Sequence, residues 1–398
     1  MASQFSGMPQ YLSDEVRVDC FLFTTDGRYV VTGSSTGPPQ IWDMQSGELL
    51  RTVSGLDTGS GDLHLCCEET ILAGHMGLGN NAPADIPPAY RKLELWDFAS
   101  GRQLDTDPTV YYTASALLKA QNDQLLLART SSEGTAVVIW DVARNQQVKE
   151  MKTSWTVGDA DSLVSALVTP DNRYAVLGFL SPFTGNAHYL SFDLSRTFIE
   201  ANSLEFDAYP ECTVIISNVE AATGTRKGEI IIWDVQLARA LRQLYQTSAD
   251  PSSVGGASFA HLSAVNSLAI SPNDMRYLVS ASSDCTLKVW DLATETCSNT
   301  LTGHTDEVWC CALASSETLD MIASGSSDHT IRLWRRSTGK QLCWFNTHTD
   351  VFSIKVSPDG RTVAALGDKF GTRKLILLQM VKHRQRKQNT MPRTSDRV

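Results

Sequence analysis

Serine, histidine and aspartate stand close together in the stretch SSDHTIRLW, which runs from Ser326 to Trp334. These three residue types form the triad of many hydrolases, in which histidine activates serine and aspartate orients the histidine. A near-copy, SSDCTLKVW, stands 44 residues earlier and has Cys285 in the place of His329. A catalytic site occurs once and keeps its base, whereas this motif recurs without it. We therefore interpret the motif as a structural repeat and expect no enzymatic activity.

The other residues that bind metals or cofactors show no suitable spacing. The nine cysteines contain no CxxC pair, and the eight histidines are scattered. The pairs Cys66–Cys67 and Cys310–Cys311 fall in apparent strands, where neighbouring side chains point to opposite faces. The glycine-rich stretch at 77–85 contains a proline and is followed by two more, which prevents the helix that a phosphate-binding loop requires. No catalytic residue, metal or cofactor is predicted, and the thiols are expected to be buried and reduced.

The charge of the 398-residue chain is unevenly distributed. The tail 382–398 has six Lys and Arg against one Asp, so the net charge of −10 leaves −15 on the body. An acidic body disfavours contact with nucleic-acid phosphates, and no apolar run is long enough to span a bilayer. The opening MASQFSGMPQ lacks a basic start and an apolar stretch, so no secretory signal is predicted. We expect a cytoplasmic protein, with nuclear localisation through a disordered basic tail as the alternative.

Strand-like segments that end in Trp-Asp recur along the whole chain. Five are well preserved, namely QIWDM, KLELWDF, VVIWDV, EIIIWDV and LKVWDL, and three are degenerate, namely YLSFDL, IRLWRR and LILLQM. Their aromatic or equivalent positions are 42, 96, 140, 192, 233, 290, 334 and 378. The steps between them fit a period of about 43 residues with insertions. A fixed period of this length is typical of repeat architectures.

Each unit also contains four short strands. In 304–347 these are EVWCCALA, DMIASG, TIRLW and KQLCWFN, separated by turn sequences such as SSET, SSDH and RSTGK. A four-stranded sheet of this size cannot bury both of its faces alone. Radial stacking of several such sheets covers the faces and leaves only short edges.

The period and the Trp-Asp pair that ends the third strand resemble those of the WD-repeat β-propeller family over about 16–380. The resemblance implies an all-β chain that forms a single propeller of four-stranded antiparallel blades, eight in number or alternatively seven. The predicted units are 16–55, 61–108, 112–153, 161–207, 209–250, 261–303, 304–347 and 348–381. Residues 1–15 form an N-terminal segment, and we expect 9–15 to close the ring by pairing beside 374–381.

The resemblance also assigns a role to the opening motif. In this family a buried network joins a histidine before the first strand, a Ser or Thr in the second, an Asp in the next turn and the third-strand Trp. The matching residues are His304, Ser324, Asp328 and Trp334, and in the preceding unit His261, Ser280, Asp284 and Trp290. A buried carboxylate requires such partners, because leaving it unpaired is costly.

The long insertions all fall between second and third strands or between successive units, which places them on one end of the sheets, the top face. Loops on a rigid scaffold are where binding residues concentrate. The sequence therefore predicts a monomeric scaffold that binds partner proteins or peptides through the top face, without nucleic acid. Candidate binding residues are Trp309, Phe352, Asp19, Tyr90, Arg91, Trp155, Phe183 and Arg226. The alternative is a regulatory or sensor propeller of a larger nucleotide-dependent assembly. The irregular units and the stretch VAALGDKFGTRKLILLQMV at 363–381 resemble the C-terminal propellers of NACHT-and-WD-repeat proteins.

Overall fold

In the computed structural model of the chain, regular structure within the described residues is entirely β-strand. The described residues are 10–12, 17–34, 37–53, 60–66, 71–77, 91–104, 111–112, 115–119, 125–130, 136–141, 146–152, 162–180, 187–195, 202–206, 208–245, 259–271, 275–314, 320–369 and 372–379. All strand pairings in these ranges are antiparallel, and the strands group into eight sheets, which is the number of predicted units.

The chain enters through β1 (Gln10–Leu12) and then builds the first four sheets in order. Sheet 1 contains β2 (Cys20–Phe23), β3 (Tyr29–Gly33), β4 (Gln40–Asp43) and β5 (Leu49–Thr52). Sheet 2 contains β6 (Ser60–Cys66), β7 (Ile71–Gly77), β8 (Arg91–Asp97), β9 (Gln103–Leu104) and β10 (Tyr111–Tyr112). Sheet 3 contains β11 (Ser115–Lys119), β12 (Leu125–Thr130), β13 (Ala136–Asp141) and β14 (Gln146–Lys152). Sheet 4 contains β15 (Ser162–Val168), β16 (Tyr174–Leu180), β17 (Ala187–Asp193) and β18 (Asn202–Phe206).

The second half repeats the pattern. Sheet 5 contains β19 (Pro210–Ile215), β20 (Glu220–Thr225), β21 (Ile230–Asp234) and β22 (Arg239–Leu244). Sheet 6 contains β23 (Val265–Ile270), β24 (Tyr277–Ser282), β25 (Thr286–Asp291) and β26 (Thr296–Thr302). Sheet 7 contains β27 (Val308–Leu313), β28 (Met321–Ser326), β29 (Thr330–Arg335) and β30 (Gln341–Asn346). Sheet 8 contains β31 (Asp350–Val356), β32 (Thr362–Lys369) and β33 (Thr372–Gln379), with β1 added at its edge.

The sheets stack face to face in chain order, with the first strand of each next to the first strand of its neighbour. Third-strand tryptophans fill the gaps between sheets. For example, Trp290 of sheet 6 packs on Ile232 of sheet 5, and Trp334 of sheet 7 packs on Val289 of sheet 6. Both tryptophans are at most 1% exposed. Because every sheet covers the face of the next, short amphipathic strands acquire an apolar core on both sides.

Sheet 8 closes the stack against sheet 1. An apolar cluster joins Trp42 and Met44 of sheet 1 to Leu375 and Leu377 of sheet 8. The N-terminal β1 forms the outer strand of sheet 8, with Gln10–Leu12 paired antiparallel to Leu375–Leu377. Two distant parts of the chain therefore share one sheet, which covers an edge that would otherwise be open.

Sheet 2 departs from the predicted unit boundaries. We expected the second unit to end at 108 and the third to begin at 112, but Tyr111–Tyr112 pairs with β8 of sheet 2. The outer edge of β8 is thus shared by two short strands, since β9 pairs with it further along. The intervening sequence contains Pro108, which has no N–H to donate to a ladder.

The turn between the second and third strands shows why Cys285 can replace His329 in the near-copy of the opening motif. His329 and Cys285 occupy the same turn position, and both have a positive backbone φ, of 60° and 67°. The backbone conformation is thus retained while the side chain varies. The His329 side chain is 53% exposed, as expected for a residue outside the core.

Candidate interaction surface

A buried chain of hydrogen bonds connects four residues of sheet 7. His304 places Nδ1 at 2.8 Å from Asp328 Oδ2 and Nε2 at 2.8 Å from Ser324 Oγ. The indole N–H of Trp334 donates to the same Ser324 Oγ at 2.9 Å. The donors fit one direction, in which Trp334 donates to serine, serine to Nε2, and the Nδ1–H to aspartate. The structure therefore brings these four predicted residues together with a neutral imidazole.

Asp328 also fixes two turns. Its carboxylate accepts bonds from the backbone N–H of Thr305 at 3.1 Å and of Thr330 at 2.9 Å, and from Thr330 Oγ1 at 2.6 Å. One carboxylate thus joins the segment before the first strand to the turn before the third. This arrangement clamps the strands of sheet 7 together at their upper end, which we define as the end where first strands begin.

The preceding sheet repeats the arrangement. His261 lies 2.8 Å from Asp284 and 2.7 Å from Ser280, and the indole of Trp290 donates to Ser280 at 2.9 Å. A simpler form occurs in sheet 5, where Trp233 donates to Thr223 Oγ1 at 3.0 Å. The serine or threonine that receives the indole N–H is therefore a recurring structural element.

Burial and hydrogen bonding set the protonation state of the network. Burial lowers the pKa of His304 below its ordinary value, and the adjacent Asp328 offsets this effect only in part. Burial would raise the pKa of Asp328, but hydrogen bonds from His304 and Thr330 outweigh it and hold that pKa well below its usual range. The pKa values of His261 and Asp284 are lowered in the same way. At neutral pH the network is therefore a carboxylate with a neutral imidazole.

This geometry does not suit nucleophilic catalysis. Ser324 and Ser280 are 0% exposed, and each hydroxyl already accepts an indole N–H. A nucleophile must reach a substrate carbonyl next to an oxyanion hole, and these serines cannot. A G-x-S-x-G sequence does occur at 33–37, between β3 and β4. The nucleophile elbow lies between a strand and a helix, whereas this sequence leads into another strand.

A second recurring feature lies at the upper end of the first strands. In several sheets the ladder between the first and second strands shifts register at one residue, forming a β-bulge. The bulge residue is Trp309 in β27 and Phe352 in β31. Since a bulge residue has no partner across the ladder, its side chain is redirected out of the regular pattern. We call these equivalent positions the upper rim.

The upper rim brings two predicted binding residues into contact. The rings of Trp309 and Phe352 lie with centroids 6.1 Å apart and planes inclined by 52°. Phe352 is 40% exposed, and Trp309 is half-buried. The indole N–H of Trp309 donates to Ser327 Oγ at 2.7 Å, which fixes the ring. Two neighbouring sheets thus present an oriented aromatic pair, which we call the aromatic notch.

Asp19 and Arg226 are also placed at the upper end, but both are engaged within the chain. Asp19 precedes β2 and its carboxylate pairs with Arg17 at 2.8 Å and Arg373 at 3.4 Å. Arg226 pairs with Glu211 at 2.6 Å, and its guanidinium lies 4.1 Å from the centroid of the Tyr209 ring. The structure does not bring either of them to the aromatic notch, and their role in partner binding stays a prediction.

Sequence reasoning missed further members of the upper rim, of which two are polar. Glu211 and Asn266 are the bulge residues of β19 and β23. Asn266 donates to the backbone oxygen of Val308 at 3.0 Å and so ties sheet 6 to sheet 7. Each of these residues follows the apolar residue that opens its first strand, and aligning the units on that residue would have found them.

The remaining predicted binding residues carry no structural test. Tyr90, Trp155 and Phe183 lie outside the described residues, as does the tail 382–398. Arg91 is the first residue of β8.

Two adjacent cysteines among the described residues lie in different parts of the core. Cys310 lies in the core between sheets 7 and 8 and Cys311 in the core between sheets 6 and 7, so the adjacent thiols face opposite sides. Burial raises the pKa of Cys311 to about 12.

No group of three or more His, Cys, Asp or Glu among the described residues could hold a metal ion. Within the same ranges no helix is long and apolar enough to cross a membrane.

Comparison with known proteins matches the repeats and the fold. A family model described as WD40, WD domain, G-beta repeat, matches residues 256–291 and 295–335, which contain most of sheets 6 and 7. The crystal structure of the computationally designed Ika8 protein superposes with a TM-score of 0.65 at 19% identity. That match covers 92% of this chain and 99% of the designed chain, and it supports the fold alone.

Two curated relatives extend the comparison. WD repeat and SOCS box-containing protein 1 of Xenopus tropicalis is 33% identical over 114 residues, which are 28% of this chain and 23% of that protein. Apoptotic protease-activating factor 1 of Danio rerio is 25% identical over 360 residues, which are 87% of this chain and 24% of that protein. The matched segments are about a quarter of the length of either relative. The chain thus contains sequences that match WD40 repeats within 256–335, and its sheets of antiparallel strands are arranged as in a β-propeller.

Proposed function

We propose that the chain is a non-enzymatic scaffold that binds a partner protein or peptide at its upper rim. WD40 repeats generally serve protein interactions. The observation that carries the choice of surface is the aromatic notch, because Trp309 and Phe352 come from two sheets and remain partly exposed at one end. Aromatic side chains held in one orientation are favoured as interaction hot spots.

The sequence supports the same end of the sheets. The two longest connections between consecutive strands, 78–90 and 245–264, both fall at the upper end by their place in the strand order. Loop length adds little entropy cost by itself, and long loops on a rigid scaffold are typical of a binding face. The chain acts in this proposal as a cytoplasmic monomer without a cofactor.

The test compares two variants that lose the same number of exposed apolar side chains. The first carries Trp309→Ala and Phe352→Ala in the notch. The control carries Leu342→Ala and Trp344→Ala, which are 45% and 54% exposed on the outer strand of sheet 7. Both variants and the wild-type chain are immobilised, after thermal melting shows that they fold, and proteins captured from cytosol are identified by mass spectrometry.

Partners that bind the wild type and the outer-strand control but not the notch variant would support the proposal. Equal capture by all three chains would exclude the notch as the binding surface. Loss of capture in the outer-strand control alone would move the surface to the outer edge of sheet 7. A third variant with residues 76–90 shortened separates the loop's contribution from that of the rings.

The alignment with one relative, which extends over most of this chain, favours a second candidate function. The segment of apoptotic protease-activating factor 1 that aligns with 87% of this chain is only 24% of that protein. We propose as the alternative that the chain serves as the regulatory or sensor part of a larger nucleotide-dependent assembly. Capture repeated with ATP, ADP or no nucleotide tests it, because a partner that is retained in one nucleotide state only would favour this alternative.

A further inference from the structure

Some rings of the described residues are covered by a cation of this chain, and the two rings of the aromatic notch are not among them. Five other described rings each have an Arg or Lys group within about 5.4 Å of the centroid, namely Tyr29, Tyr174, Tyr209, Tyr277 and Phe21. Among the described residues, no guanidinium or ammonium lies over Trp309 or Phe352. The rings that a cation of this chain covers therefore do not include Trp309 and Phe352.

Three carboxylates stand close to the notch in sequence. Asp306 and Glu307 directly precede β27, and Asp350 stands two residues before Phe352 in β31. Asp306 and Glu307 also act on Cys285, in the neighbouring upper turn of sheet 6. Burial raises the pKa of that thiol, and Asp306, Asp284, Glu307 and Asp328 raise it further. Asp284, Asp306, Glu307 and Asp328 therefore all lie near this upper turn of sheets 6 and 7.

The nearby cations are already matched by carboxylates. Arg332 lies 3.6 Å from Asp328, and Arg373 lies 3.4 Å from Asp19 and 3.5 Å from Asp368. Asp350, two residues before Phe352, is 39% exposed. Arg332 and Arg373 are thus engaged by carboxylates of this chain, and Asp306 and Glu307 directly precede the strand that carries Trp309.

We propose that the aromatic notch binds an arginine side chain presented by a basic peptide of the partner. This inference rests on the proposed function, because it names the chemistry of the partner at the same surface. A guanidinium is planar and weakly hydrated, and it stacks on aromatic faces as well as pairing with carboxylates. The notch offers both, with the ring of Trp309 held in place by Ser327. Lysine is disfavoured, because its compact ammonium is more strongly hydrated.

The test uses the full chain with ¹⁵N-labelled tryptophan and follows the indole N–H signal of Trp309. That signal is identified by its loss in Trp309→Phe. The probe is acetyl-Gly-Arg-Gly-amide, and the matched control replaces arginine with citrulline, which has nearly the same shape but no charge. A lysine peptide and an equal concentration of sodium chloride complete the series.

We expect the arginine peptide to move the Trp309 signal saturably and the citrulline peptide to leave it in place. Phe352→Leu keeps an apolar side chain but removes the π face, and we expect it to weaken binding about two- to fivefold. Glu307→Gln weakens it by a similar factor and reduces its salt dependence. Trp344→Leu, on the outer strand of the same sheet, leaves the affinity unchanged.

Several results would overturn the inference. Equal shifts with arginine and citrulline would show that charge is not recognised, and no shift with either would show that the notch does not bind the group. Stronger binding of the lysine peptide would refute the choice of guanidinium. If partner capture depends on the notch while the arginine probe does not bind, the proposed function stands and this inference fails. If neither depends on the notch, both fail.

Discussion

The hydroxyl of Ser324 is the point on which the buried network of sheet 7 depends, and its removal has a calculable cost. Ser324→Ala deletes the acceptor of the Trp334 indole, at 2.9 Å, and the partner of His304 Nε2, at 2.8 Å. Alanine fits the site without strain, because it only removes an atom. The substitution therefore isolates the hydrogen bonds from the packing of the tryptophan.

The expected loss follows from the burial of the two groups left behind. A typical hydrogen bond contributes about 1 kcal/mol net, and a buried polar group without a partner costs about 1–3 kcal/mol. The side chain of His304 and the ring of Trp334 are at most 1% exposed, so water cannot replace the hydroxyl without entering the core. We expect Ser324→Ala to lower the free energy of unfolding by about 2–4 kcal/mol.

Two further variants set the scale. Ser280→Ala in sheet 6 removes the same two contacts, so it is expected to cost the same amount. Thr302→Val removes a hydroxyl from an exposed position on the outer strand of sheet 6 and is expected to change stability by less than about 0.5 kcal/mol. The assay is equilibrium unfolding in urea at pH 7.5, followed by tryptophan fluorescence and by circular dichroism. Agreement of the two signals shows whether a two-state free energy applies.

A loss in Ser324→Ala no larger than that in Thr302→Val would refute the reasoning. It would mean that the indole and imidazole find other partners, or that the network contributes nothing net. A large loss in Ser324→Ala with none in Ser280→Ala would contradict the interpretation of a repeated structural element, because the two geometries agree within 0.1 Å.

Three other expectations follow from the packing, the electrostatics and the ring closure. Gly325→Ala would place a Cβ 2.3 Å from Val351 Cγ1, so we expect a loss of about 1–3 kcal/mol in urea unfolding, and Val351→Ala in the same chain should recover part of it. Lowering the pH from 7.5 to 5.5 should decrease the free energy of unfolding, because the pKa values of His261 and His304 are lowered in the fold and the unfolded chain binds protons that the buried imidazoles do not. A constant urea midpoint over this range would contradict that assignment. Deleting residues 1–12 removes β1 and exposes the edge of β33, so light scattering should detect association and the melting temperature should fall, whereas an unchanged monomer would count against a closing role for β1.

Local sequence signals were sufficient for most of the repeating architecture. The Trp-Asp pairs, the four strands of each unit and the turn sequences between them predicted an all-β propeller, and the structure has this form. These signals succeed because strand alternation and turn chemistry act over a few residues. The boundary near Tyr112 was wrong, because pairing with β8 decides which sheet a two-residue strand joins.

The residues of the candidate site could likewise be predicted only in part from the sequence. The repeat determined which serine, aspartate, histidine and tryptophan belong together in sheets 6 and 7, since these two units bury the same groups. It could not show that Trp309 and Phe352 lie with ring centroids 6.1 Å apart, because they are 43 residues apart in the chain and belong to different sheets. Nor could it show that Asp19 is paired with Arg373, which lies at the other end of the propeller sequence.

The sequence by itself thus determined the period, the strand content and the buried network of sheets 6 and 7, because all of these depend on contacts within about 40 residues. The tertiary structure decided which upper-rim side chains meet, which charges are neutralised and which rings stay partly exposed. Those properties arise where one sheet packs on the next, and the ring closes only when β1 joins a strand more than 360 residues later. The proposed binding surface is therefore a property of the assembled stack.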